Sequence, residues 1–223
     1  MKRTFLAAIM MFMAVALTGC GDEHEGGHPP PPIVTDILSD SVLDGDIVQN
    51  PSGVFTVTQG MTQSVQSVFA GIDPATGAEY RAFLDFPLTG SRGVPGNATI
   101  ESATLDIVIK SIQPLTGTIP IRIDLVNLQP PTLVAANFST TSLAALATIT
   151  IPIFQTDLGK HVFVDVTSLM SEAQRLVLPN FQIRILLDSA AVSGSAVSGR
   201  IEIDDTTGAN RVYFAPLLRV TYF

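Results

Sequence analysis

Strict alternation of apolar and polar residues recurs through the second half of the chain, and it confines the fold to β-structure. Ala103, Leu105, Ile107 and Ile109 alternate with Thr104, Asp106 and Lys110. Ile119, Ile121, Ile123 and Leu125 alternate with Pro120, Arg122 and Asp124. Val162, Val164 and Val166 do so with His161, Phe163 and Asp165, and Phe181, Ile183, Ile185 and Leu187 with Gln182, Arg184 and Asp188. Leu218, Val220 and Tyr222 close the series. A period of two puts every second side chain on one face, so each run predicts a strand with one face inward. Further strands are expected at 54–58, 65–70, 82–86, 148–153 and 200–204. Turn-forming clusters at Asn50–Gly53, Asp73–Gly77, Pro95–Asn97 and Thr207–Asn210 separate them. About ten short strands joined by polar turns predict a two-sheet antiparallel β-sandwich. One short helix is expected near residues 168–177. Leu169, Ala173, Leu176 and Val177 share a face there, Thr167 or Ser168 is placed to cap it, and Pro179 follows. A second is expected at 142–147.

The N-terminus reads as an export signal. Lys2 and Arg3 precede an uncharged apolar run from Phe5 to Leu17, too short for a comfortable membrane span. The run ends in Leu17-Thr18-Gly19-Cys20, which resembles the lipobox of bacterial lipoproteins. The resemblance implies a signal peptide over 1–19, removed on export, and a membrane anchor through acylated Cys20. Cys20 is also the only cysteine, so an exported chain would have no disulfide to make with it. Gly21 rather than Asp follows it, which points to the outer membrane, facing the periplasm or the cell exterior. Residues 20–32, with Pro29 to Pro32, form a proline-rich tether that cannot bury a core. Residues 33–223 then form the domain. Net charge is −8, and more acidic still without Lys2 and Arg3, which disfavours nucleic acid as a partner.

The stretch from Tyr80-Arg81-Ala82-Phe83-Leu84-Asp85-Phe86-Pro87-Leu88 through Val94-Pro95-Gly96-Asn97-Ala98-Thr99-Ile100 to Glu101-Ser102-Ala103-Thr104-Leu105-Asp106-Ile107 is similar to the DNRLRE-type domain family. Val164-Asp165-Val166-Thr167 and the closing Ala215-Pro216-Leu217-Leu218-Arg219-Val220-Thr221-Tyr222 agree with that family in order. The resemblance implies a jelly-roll sandwich of cell-surface proteins, some of whose members are carbohydrate-binding modules. The chain departs from it in having no tryptophan.

No constellation marks catalysis. Of three histidines, His24 and His28 fall in the tether, and His161 is expected to point outward from its strand. The chain is therefore not expected to be an enzyme, and a polysaccharide-acting enzyme ranks third among the readings. His24, Glu25 and His28 are weak candidates for a transition metal. Asp36, Asp40, Asp44 and Asp46 cluster around Gly45 and are candidate oxygen ligands for a structural calcium. Asp204 and Asp205 form a further acidic pair. Sugar recognition needs an aromatic face and polar groups beside it. Tyr80 with Arg81, and Tyr213 with Arg211, are the candidates, each pair next to a turn. The apolar segment 129–155 either folds over a sheet or offers a surface to a partner. The expected function is a non-catalytic surface module for extracellular polysaccharide or another envelope component. The alternative is a protein–protein scaffold in an envelope assembly.

Overall fold

The alternating runs pair into antiparallel ladders. The computed structural model describes residues 30–114, 117–189 and 198–223. The leader, Cys20 and the tether up to residue 29 (with His24, Glu25 and His28) lie outside the described residues. Twelve strands follow one another among the described residues: β1 (Ile33–Leu38), β2 (Gly45–Gln49), β3 (Phe55–Gln59), β4 (Ser67–Ile72), β5 (Glu79–Pro87), β6 (Ile100–Gln113), β7 (Thr118–Val126), β8 (Ala147–Phe154), β9 (His161–Asp165), β10 (Asn180–Leu187), β11 (Arg200–Asp204) and β12 (Leu217–Tyr222). They form a curled antiparallel sheet in the order β1-β12-β6-β11-β4-β5-β10-β7-β8, with β9 added beside β6, β2 beside β5 and β3 beside β2.

The long strand β6 carries the curl. Its first half pairs with β12 and β9, and its second half with β11. The first and last strands lie side by side, Ile33 opposite Tyr222 and Leu38 opposite Leu217. The inward side chains of β5, β7 and β10, among them Leu84, Phe86, Ile123, Leu125, Ile183 and Ile185, meet Leu105, Ile107, Val164, Leu218 and Val220 in one apolar core. Burying each such side chain is worth roughly 1.5–3 kcal/mol, so this core is the main reason the curl closes.

The expected helix is α1 (Thr167–Arg175), which buries Leu169, Met170 and Ala173. Its start differs from expectation. Neither Thr167 nor Ser168 caps it; Val166 stands at the cap position without a side-chain bond. Instead the Thr167 hydroxyl accepts the Ala103 N–H at 2.9 Å, tying the helix to β6, and Asp165 accepts the Thr167 N–H at 2.9 Å. Val177, at a φ of 54°, turns the chain out of the helix ahead of Pro179.

Residues 127–146 form a strap over the outer face of β5, β7 and β10. Leu128, Leu133, Phe138 and Leu143 from the strap pack on Ile47, Phe83 and Val126 in a second apolar cluster. The segment opened at 129–155 is thus a cover followed by a strand, β8. No helix forms over 142–147. Ser139 Oγ accepts the N–H groups of Thr141 and Ser142 in a turn, and the Leu146 N–H bonds the Leu125 carbonyl, leading straight into β8. Gln182 and Arg184, expected on an open strand face, are buried because the strap lies on them.

Candidate functional site

A cleft of about 560 Å³ opens where β2, β3, β4 and β5 meet, walled by the Gln63–Gln66 loop and reached by Lys110 of β6 and Glu202 of β11. Strand register builds its aromatic wall. Tyr80 pairs with Val48 on one side and Gly71 on the other. Gly71 has a φ of +111°, and a Cβ there would run into the Gly199 carbonyl, so glycine is required. Phe69 lies two residues before Gly71 on the same strand face. With no side chain between them, the Phe69 and Tyr80 rings meet with centroids 5.7 Å apart, tilted by 53°. The Arg200 guanidinium lies 5.1 Å and 5.3 Å from the two ring centroids and is itself held by Asp73 at 2.7 Å. Such cation–aromatic stacking fixes the rings in place.

The polar groups divide into engaged and unengaged ones. Lys110 Nζ donates to Ser67 Oγ at 3.1 Å and stands 3.8 Å from Glu202. Glu202 accepts from the Ser111 hydroxyl at 2.9 Å. Asp46 is different. It is 6% exposed, one of its oxygens accepts the Phe69 N–H at 3.1 Å, and no cation pairs with it among the described residues. Burial pushes its carboxyl up to about 6, an effect the Phe69 N–H only partly offsets.

The other residues singled out from the sequence are spread over separate places. Arg81 follows Tyr80 but points to the opposite face, as the pleat demands. It bonds Glu79 at 2.6 Å and lies over the Phe138 ring at 4.0 Å, donating to the Phe138 carbonyl. Arg211 and Tyr213 share the one-turn helix α2 (Arg211–Phe214) yet part company. Arg211 turns inward to Asp205 at 2.6 Å and to the Ser39 hydroxyl at 2.9 Å, whereas Tyr213 is 66% exposed.

The four aspartates serve four local purposes. Asp36 pairs with Arg219 at 2.7 Å on the β1–β12 surface. Asp40 accepts the Val42 N–H at 2.9 Å in the turn before β2. Asp44 is buried, accepts the Asp85 N–H at 2.8 Å, and faces Asp205, so that burial and then the neighbouring carboxylate raise it well above the usual range. Asp46 lines the cleft. The structure does not bring the four together, and among the described residues no group of three or more His, Cys, Asp or Glu side chains is set to hold a metal ion. His161 points outward, bonds Asp106 at 2.9 Å and stacks on Phe163. Phe69, Asp46 in this role, Lys110 and Glu202 escaped the sequence reading. Glu202 between Ile201 and Ile203 did mark an outward position, but nothing local said that a hairpin would wall it in.

No protein-family model matches the chain, and a search of curated proteins finds no significant relative.

Proposed function

We propose that this chain is a non-catalytic surface module, lipid-anchored through Cys20 in the outer membrane, that binds extracellular polysaccharide in the Phe69–Tyr80 cleft. On this reading the curled sheet is a jelly-roll sandwich, and the resemblance to DNRLRE-type domains supports it. The observation that carries the function is the aromatic pair, held rigid by Arg200 and set beside Asp46, Ser67, Lys110 and Glu202. A sugar ring stacks on an aromatic face while side-chain oxygens and nitrogens take its hydroxyls. Affinity electrophoresis through polysaccharide gels tests it. Retardation that Phe69→Ala and Tyr80→Ala abolish and Tyr213→Ala leaves intact is the expected result. Retardation unchanged in the first two variants removes the cleft from the proposal. Cys20→Ser should move the protein from the membrane to the soluble fraction, and continued membrane fractionation would sink the anchor.

A second reading has its own observation. Val212, Tyr213 and Phe214 are 64%, 66% and 41% exposed in succession, beside a hollow of about 410 Å³ lined by Ile37, Leu38, Pro87 and Leu217. A contiguous apolar run of this kind suits a protein partner, and it favours the envelope scaffold. Crosslinking in intact cells that Tyr213→Ala eliminates would support that role over glycan binding.

A further inference from the structure

The cleft contains a carboxylate that has no counter-charge among the described residues. Asp46 is almost wholly buried, among the described residues it accepts the Phe69 N–H and pairs with no cation, and the cation within the cleft, Lys110, is engaged by Ser67 and Glu202. Other buried acids in the domain stand near a cation or side-chain donor, although Asp44 Oδ2 and Asp205 Oδ2 accept no hydrogen bond and Asp44 meets Arg211 only at 3.7 Å. Asp124 holds Arg184 at 2.6 Å, Asp205 holds Arg211 at 2.6 Å, and Asp85 accepts from Asn180 and Gln182. A buried carboxylate without a partner is costly, and one that lines an open cleft is completed most simply by what enters the cleft. Phe69 and Tyr80 line the cleft with it, and although Arg200 already lies against both rings, it does not line the cleft, where the aromatic surface can attract a second cation as well as stack a sugar ring.

We infer that the cleft selects a glycan bearing a free amino group, an amino sugar whose ammonium seats between the Asp46 carboxylate and the Phe69–Tyr80 pair. The inference rests on the glycan reading above and narrows it to one substrate class. Neutral sugars would meet the aromatic wall but leave Asp46 uncompensated. Acidic sugars would be drawn to Lys110 and repelled by Asp46 and Glu202. Acetylation of the amine would remove the charge and add bulk where the carboxylate lies.

Oligosaccharides of chitosan, chitin and cellulose test this. At equal length they share one backbone and differ only at carbon two, which carries an amine, an acetamide or a hydroxyl. Calorimetric titration of the full chain at neutral pH should find the chitosan oligomer bound tightest, by roughly ten- to a hundredfold. Asp46→Asn should level the three. Glu172→Gln, on α1 and outside the cleft lining, should keep their order. Equal affinity for all three, a preference for the chitin or cellulose oligomer, or tighter binding of a uronic-acid oligomer overturns the inference. The wild-type comparison decides even if a variant fails to fold. If polysaccharide gels still retard the protein while the amine gives no advantage, the amino-sugar inference falls alone. If neither oligomers nor gels bind, both fall.

Discussion

The two faces of β5, β7 and β10 are both buried, but by different means. On the inner face Leu84, Phe86, Ile123, Ile183 and Ile185 need only fill volume, and any well-shaped apolar neighbour will do. On the outer face lie Asp85, Asp124, Gln182 and Arg184, and each must find a directed partner. Arg184 donates to Asp124 at 2.6 Å and to the Leu143 carbonyl at 2.9 Å. Gln182 accepts the Leu128 N–H at 2.7 Å and donates to Asp85 at 2.6 Å. Thr148 and Arg122 complete Asp124. Burial pushes the Asp124 carboxyl up, but Arg184, Thr148 and Arg122 outweigh it and hold it below the usual carboxylate value. The difference teaches what the strap costs and gains. An apolar cover would slide, whereas these bonds fix which strap residue sits over which strand residue.

Four measurements test that contrast, beginning with the largest effect. Asp124→Ala leaves the Arg184 guanidinium buried alone and should cost about 3–5 kcal/mol in urea unfolding. Combining it with Arg184→Met should recover most of the loss. A double variant as unstable as the single would mean that the outer face is held by packing after all. The next effect has the opposite sign and contrasts a paired acid with an unpaired one. Asp46 has an ordinary carboxylate value of 3.8 when unfolded and about 6 when folded. Folding therefore favours its protonated form, and that stability, full below the lower value, is lost as pH rises through the higher one. Asp46→Asn should raise stability by about 3 kcal/mol above that range and by little in acid. A pH-independent difference between variant and wild type would contradict this.

Gln182→Leu orphans the Leu128 N–H beneath the strap and should cost about 1–3 kcal/mol. Hydrogen exchange should then speed up in residues 128–143 before it does in the inner strands; uniform exchange would break the distinction between faces. The smallest effect is on the inner side. Ile183→Val should cost about 1 kcal/mol, with strap protection unchanged.

The inner face was legible in the sequence, and the outer one was not. Alternation in Phe181 to Leu187 correctly separates Ile183 and Ile185 from Gln182 and Arg184. It says which way a side chain points, but not that a segment 40 to 55 residues earlier in the chain will cover it, as the Gln182–Leu128 and Arg184–Leu143 bonds do. The aspartates near the start are set apart for a related reason. Their spacing around Gly45 reads as a ligand-bearing turn, yet Asp36 and Asp46 lie in β1 and β2, which pair with strands far along the chain. Tyr80 was legible as an aromatic beside a turn. Its partner Phe69 was not, because their meeting depends on the register of β4 against β5 and on the bare backbone of Gly71.

The pairing of β1 with β12 has a consequence for how the chain comes to its fold. Ile33 cannot find Tyr222 until the residues between them have been synthesised, and contacts this distant in sequence form late and slowly. Until β12 arrives, β6 has β9 on one side of its first half but lacks its second neighbour there, and Ile37 and Leu105 lack the cover of Leu218 and Val220. A polypeptide that must thread through an export channel has to stay unfolded while it does so. On the export route proposed for this chain, a topology whose first strand waits for its last supplies that delay by itself.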